Sequence, residues 1–242
     1  MNNLPIFITI FLVLTTLLTV GIFFRAARYS KTTLFVLVIW LLVQSAIALS
    51  GFYLVTDTIP PRFSLTIVPP FVFIISLFFT VKGRRYLDSL DLKTLTVLHS
   101  IRIPVELMLF FLFINKTIPG LMTFEGRNLD ILSGITAPVI FYFGFIKQKL
   151  NKTALLVWNL ICLGLLINIV ALAILSAPFP FQQYGFDQPN IAILYFPFIW
   201  LPCCIVPLVL LSHLAAIRQI VMSYKKSGTT KSLPKVQMAE TI

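Results

Sequence analysis

The chain has 242 residues, of which 58% are hydrophobic and 11% charged; its mean hydropathy is +0.97 and its formal net charge +11. Soluble domains carry about a quarter charged residues, so the soluble enzyme and binding-module classes are excluded. Repeated long apolar runs point to membrane spans. The positive charge has to be located along the chain before it is ascribed to nucleic acid.

In chain order the apolar segments are Leu4–Phe24, Thr32–Val55, Phe63–Val81, Leu92–Ile114, Asn128–Ile146, Thr153–Leu175 and Asn190–Val221. The third is interrupted by Pro69 and Pro70, and the fifth carries Asp130. The basic residues divide between the connections. Arg25, Arg28 and Lys31, then Lys82, Arg84, Arg85 and Lys93, then Lys147, Lys149 and Lys152 follow the first, third and fifth segments. Arg218, Lys225, Lys226, Lys231 and Lys235 lie at the C-terminal end; the alternate connections hold only Arg62, Lys116 and Arg127. The positive-inside rule then predicts an all-α, polytopic membrane protein with seven transmembrane helices, N-terminus outside and C-terminus cytoplasmic. The excess charge is topological, with membrane lipid as its partner and no role for nucleic acid. Residues 1–222 form one transmembrane domain, and residues 223–242 a basic, disordered cytoplasmic tail. Met1–Pro5 lacks the positive region of a signal peptide, so the first segment is expected to be retained.

The fourth segment reads LHSIRIPVELMLFF (Leu98–Phe111) and holds three ionisable groups. On an α-helix His99 and Glu106 fall within about 20° of each other, with Arg102 about 60° away, so the three form one stripe. A charge at the bilayer centre costs about 2.5–3.5 kcal/mol, so this stripe is expected to face a partner or a water-filled cavity. Arg102 and Glu106, four residues apart, can pair directly; Pro104 between them frees a carbonyl in the preceding turn. Asp130, Glu125, Arg127 and Asn128 extend this polar set towards the outer face. The plainer alternatives are a structural ion pair for Arg102 and Glu106, a solvated loop for Glu125 and Arg127, and a helix cap for Asp130.

Pro197, Pro202 and Pro207 punctuate the seventh segment, where freed carbonyls can line a site or simply accompany a kink. Asn159 and Asn168 are nine apart in the sixth and point to opposite sides, so at most one joins a shared site. Gln44 reads as a bond between helices. The outer connections, rich in aromatics and proline, are expected to fold back as caps.

Specific chemistries narrow further. Every lysine lies in a connection, at a membrane edge or in the tail, which argues against a covalent retinal. Cys162, Cys203 and Cys204 have no metal-ligand spacing and read as packing residues, so no metal site is expected. His99 and His213 lie at similar depth and could hold a haem axially; His213 otherwise reads as an interfacial residue. No hydrolase or metalloprotease motif is present.

The run Arg102-x-x-x-Glu106 followed by PGLMTFEGRNLDILSGITAP (Pro119–Pro138) resembles a signature of uncharacterised bacterial seven-helix integral membrane proteins. The resemblance groups Arg102, Glu106, Glu125, Arg127, Asn128 and Asp130, and implies no activity, substrate or cofactor. The expected function is binding or transport of a small molecule or ion at an intramembrane polar site in the cytoplasmic membrane. Arg102 would hold an anionic group or Glu106, and Glu106 would be the protonatable or cation-binding member. Alternatives are a receptor-like or scaffold membrane protein with a structural Arg–Glu pair, and a membrane enzyme or haem protein using His99.

Overall fold

The computed structural model describes residues 4–231, and all regular structure among them is helical. The helices are α1 (Ile6–Ala26), α2 (Lys31–Leu49), α3 (Ser64–Phe79), α4 (Val81–Ser89), α5 (Leu92–Leu98), α6 (Arg102–Ile114), α7 (Ile131–Phe141), α8 (Lys152–Leu175) and α9 (Val206–Lys231). A 3-10 turn, His99–Ile101, joins α5 to α6, so that Leu92–Ile114 runs as one apolar segment. Five segments are long and apolar enough to cross a membrane: α1, α2, Leu92–Ile114, α8 and Leu201–Tyr224. The pair α3 and α4, bent by 97°, makes a sixth if taken together. These helices are compatible with a multi-pass membrane protein.

Local chemistry sets the helix starts. Ser30 accepts from the Thr33 amide at α2, Thr80 from Gly83 at α4, Asp91 from Thr94 at α5 and Asn151 from Ala154 at α8. Each cap satisfies one of the amides that a helix leaves without an internal partner. On the buried face of α1, Thr15, Thr16 and Thr19 donate their hydroxyls to the carbonyls four residues back. That face therefore meets its neighbours with no stranded polar atom.

Several boundaries differ from the sequence reading. α2 stops at Leu49, because Gly51 takes a left-handed φ of +77° and leads into a 3-10 turn, Phe52–Leu54. Such a residue just past the last turn is a common way to end a helix. α7 is continued by a π turn, Tyr142–Ile146, and the combined 16 residues form a short apolar helix. The seventh apolar segment does not begin as a helix at Asn190: a 3-10 turn, Ala192–Leu194, and a π turn, Leu201–Ile205, precede α9. Pro197, Pro202 and Pro207 withhold three amides from any regular ladder through this stretch. α9 itself continues into the segment expected to be a polar tail; residues 232–242 of that tail lie outside the described ones.

α9 lies at the centre of the bundle. In Leu201–Tyr224, 61% of the apolar window is buried, against 17% in α2, which lies at the periphery. Hydrogen bonds gather the basic connections at one end. The Asp91 amide reaches the Ala26 carbonyl at 2.9 Å, Thr33 meets Tyr86 at 3.2 Å, and Thr153 meets Tyr224 at 2.8 Å. There Arg218 grips Asp88 through two bonds, and Gln219 donates to the carbonyls of Leu87 and Leu90, fixing α4 across the foot of α9. At the opposite end the long connections fold back as caps. Asn190 is buried, its side chain donating to the Ala173 carbonyl, and the Ile191 amide reaches the Thr117 carbonyl.

α7 approaches the start of α6 through Gly134. A Cβ there would sit 2.8 Å from Ile103 Cγ1 and 2.9 Å from its backbone nitrogen. Small residues allow such close backbone approach where apolar helices pack without a hydrophobic drive. Gly134→Ala is therefore expected to lower unfolding stability by about 1–3 kcal/mol, the usual range for overpacking. Gly164→Ala, where a Cβ meets nothing within 4 Å, serves as the control and is expected to leave stability unchanged or slightly raised. Thermal unfolding of both variants in one detergent checks this.

Candidate functional site

The tight turn at His99–Ile101 falls one turn before Pro104, which has no amide to offer the Ser100 carbonyl. The three ionisable side chains of this segment all point inwards: His99 is 1% exposed, Arg102 2% and Glu106 1%. The expected Arg102–Glu106 pair, however, does not form. Arg102 Nη1 donates to Asp130 Oδ1 at 2.6 Å and to the Cys162 carbonyl at 3.1 Å, and Nη2 lies 2.8 Å from His213 Nε2. The Gly134 contact brings the start of α7 against α6, so Asp130, the residue preceding α7, lies within reach of the guanidinium. Asp130 makes no side-chain cap on its own helix; its carboxylate is turned to Arg102.

Glu106 has a different partner. The Asn128 side-chain nitrogen lies 2.7 Å from each of its carboxylate oxygens and 2.9 Å from the Met122 carbonyl. The Asn128 side-chain oxygen accepts from the Asp130 amide at 3.0 Å. The carboxamide is thus oriented by backbone on both sides, and one of its two N–H groups is shared between the oxygens of Glu106. This needs the tight loop before α7, where Gly126 lies against Gly120: a Cβ would meet the Gly120 carbonyl oxygen at 2.4 Å.

The hydrogen bonds also assign the state of His213. A guanidinium can only donate, so His213 Nε2 accepts from Arg102. Nδ1, 3.0 Å from Asn159 Oδ1, carries the proton and donates there, since the Asn159 nitrogen is spent on the Leu155 carbonyl. His213 is accordingly neutral. His99 stacks on it with ring centroids 3.8 Å apart and planes 16° off parallel, and meets the edge of Trp158. Both His99 ring nitrogens, and Arg102 Nε, are buried without a hydrogen-bond partner.

This arrangement sorts the residues anticipated from sequence. Arg102, Glu106, Asn128, Asp130 and His99 come together. Glu125 and Arg127 do not: both are exposed, and the backbone carbonyl of Arg127 receives Asn168 at 3.0 Å. Of the two asparagines on α8, Asn159 joins the cluster and Asn168 faces away, as their spacing requires. Gln44 accepts from the Tyr53 hydroxyl at 2.6 Å. His213 is no interfacial residue but fully buried in the centre of the cluster. The histidine pair does not suit a haem. Stacked rings present their faces to each other, whereas axial ligation needs a nitrogen of each directed at an iron between them, and both nitrogens of His213 are already bonded. Among the described residues no group of His, Cys, Asp or Glu has the arrangement of a metal site.

Arg102, Glu106 and Asp130 edge a cavity of about 90 Å³ whose other walls are apolar, among them Ile67, Phe71, Leu166 and Pro202. That is room for a few water molecules or a small ion and far less than the roughly 300–1,000 Å³ of sites for larger ligands.

Among the described residues these features define an all-helical fold, with several helices long and apolar enough to cross a membrane, and a buried Arg–Asp–Glu–His cluster. Residues 59–221 match a family described as a domain of unknown function, DUF8737, and the chain belongs to that family. The matched region contains every side chain of the cluster and leaves out α1 and α2. No curated protein and no solved structure matches the chain.

Breaking one member of a buried ion pair strands the other, at a cost of about 3–5 kcal/mol. Arg102→Met is expected to lose stability in that range by thermal or SDS unfolding. Arg102→Met with Asp130→Leu is expected to be less destabilised than Arg102→Met alone, because the second change removes the stranded carboxylate.

Proposed function

We propose that the chain is a seven-span protein of a bacterial-type cytoplasmic membrane, N-terminus outside, that binds and transports a proton or small cation at Glu106. The observation that carries this reading is the charge count in the buried cluster. Two carboxylates, Glu106 and Asp130, face one guanidinium, and His213 is neutral. The cluster reaches neutrality with one added proton or cation, and a buried charge without compensation is strongly disfavoured.

The bonding says where that positive charge belongs. Asp130 is engaged by Arg102, while Glu106 receives only a shared amide N–H and borders the cavity. Arg102, occupied by Asp130, the Cys162 carbonyl and His213, is poorly placed to hold an anionic substrate. It acts as the fixed charge that keeps Asp130 ionised and leaves Glu106 to exchange. The cavity volume favours a proton, with its waters, or a small cation over a larger solute.

The topology rests on the gathering of the basic connections at one end of the bundle, which supports an N-out, C-in arrangement. It takes the bent pair α3–α4 and the short helix Ile131–Ile146 as crossings. At 1.5 Å per residue the latter is about 24 Å long, short of a hydrocarbon core of about 30 Å, and crossing there calls for local thinning. The resemblance to bacterial membrane proteins around Arg102–Glu106 and the MTFEGRN loop is consistent with this placement.

A structural role for the cluster is the second reading, favoured by the completeness of the Arg102–Asp130–His213–Asn159 bonding. Purified protein in vesicles loaded with a pH-reporting dye, under imposed proton, sodium or potassium gradients, separates the two. Wild type is expected to carry a proton or cation flux that Glu106→Gln reduces to the protein-free background while unfolding at a similar temperature. Absence of flux in wild type, with altered stability as the sole effect of Glu106→Gln, assigns the cluster to structure.

A further inference from the structure

A second cavity, of about 650 Å³, lies between α2, α3 and α9, away from the charged cluster. It exists because α2 and α3, though consecutive, scarcely touch each other; both rest on the π turn Leu201–Ile205. Phe35, Val36, Ile39 and Val43 of α2 face Pro70 and Phe73 of α3 across it, and most of these are exposed, so the groove opens sideways from the bundle. Its size falls within the roughly 300–1,000 Å³ of ligand sites.

The groove is polar at one end only. Ser30, Thr32, Thr33 and Tyr86 line that end, with Thr33 and Tyr86 joined at 3.2 Å. The same turns of the chain carry Arg28, Lys31, Lys82, Arg84 and Arg85, all exposed. The acids of this end are already committed: Asp88 to Arg218, and Asp91 to the Thr94 amide and hydroxyl. The rim therefore keeps unneutralised positive charge above an apolar trough. From Ser30 to Val43 the trough runs about 20 Å at 1.5 Å per residue, enough for a chain reaching the middle of a hydrocarbon core about 30 Å thick.

We propose that this groove is a binding site for an anionic phospholipid, one acyl chain lying between α2 and α3 and the headgroup held by the rim of Lys31, Arg84 and Arg85. The charge matches an anionic headgroup, the hydroxyls match its ester and phosphate oxygens, and the lateral opening admits the lipid from the basic-end leaflet. The site is independent of Glu106 and of ion movement.

Trp40 is a built-in reporter: it lines the groove, and its indole N–H is fixed on the Cys203 carbonyl at 2.8 Å. The full chain is reconstituted in phosphatidylcholine vesicles containing increasing amounts of phosphatidylglycerol with brominated acyl chains, or of equally brominated phosphatidylcholine. The Trp40 contribution is taken by difference from Trp40→Phe. Quenching by the brominated phosphatidylglycerol is expected to saturate, at a mole fraction about tenfold lower than the phosphatidylcholine needs. Lys31→Gln/Arg84→Gln/Arg85→Gln is expected to erase that preference. Equal, non-saturating quenching by both lipids overturns the proposal, leaving ordinary surrounding lipid in the groove. Quenching of Trp40 by aqueous iodide overturns it as well, by showing a water-filled groove. Should the triple variant fail to fold, the wild-type comparison between the two lipids decides.

Discussion

A guanidinium that cannot shed its charge and cannot reach water must be surrounded by acceptors. Arg102 imposes that requirement on three separate parts of the chain. Its partners come from the residue preceding α7, from the backbone of α8 and from the middle of α9. Each must arrive at a fixed distance and direction, so helices with little hydrophobic reason to prefer one packing over another are held in one arrangement. Asn159 then sets the tautomer of His213, and Gly134 lets α7 come close enough for Asp130 to serve. The bundle is organised around a charge, with the apolar surface filling in.

The apolar segments and the inward face of the fourth were legible because they answer to blunt energetic rules: hydrocarbon demands long apolar helices, and ionisable groups inside them must turn away from lipid. Partnership was not legible. Arg102 and Glu106 stand in a helical relation that permits pairing, and only the approach of the loop before α7 shows that Asp130 and Asn128 take one each. His213 sits in an apolar run whose periodicity does not distinguish a central helix from a peripheral one. The available clue was its depth, matched to His99. The start of α9 was misread because hydropathy reports burial, and the capping loop Asn190–Trp200 is as buried as a helix while its prolines deny it a helical ladder.

The two cavities divide the molecule by chemistry. The small one has charged groups at its edge and is lined by residues of the family domain alone. The large one is apolar, bordered by α2, and basic at its rim. α2, outside the matched family region and the least buried long helix, supplies one wall of the groove and nothing to the charged cluster. Variation there would alter the groove while leaving Arg102 and its partners untouched.

The separation of Arg102 from its partners along the chain bears on how the protein is made. Asp130 follows 28 residues after Arg102, and His213 follows 111 residues after it. A chain delivered to the bilayer one segment at a time would leave the guanidinium without acceptors while its partners were still being synthesised. Arg102 is thus a reason for α6 and α7 to pack together early, with Asp130 already in hand. α9 then completes the set of acceptors. The packing of α9 against the rest gives Arg102 its acceptor on His213, so the order of translation bears on the order of assembly.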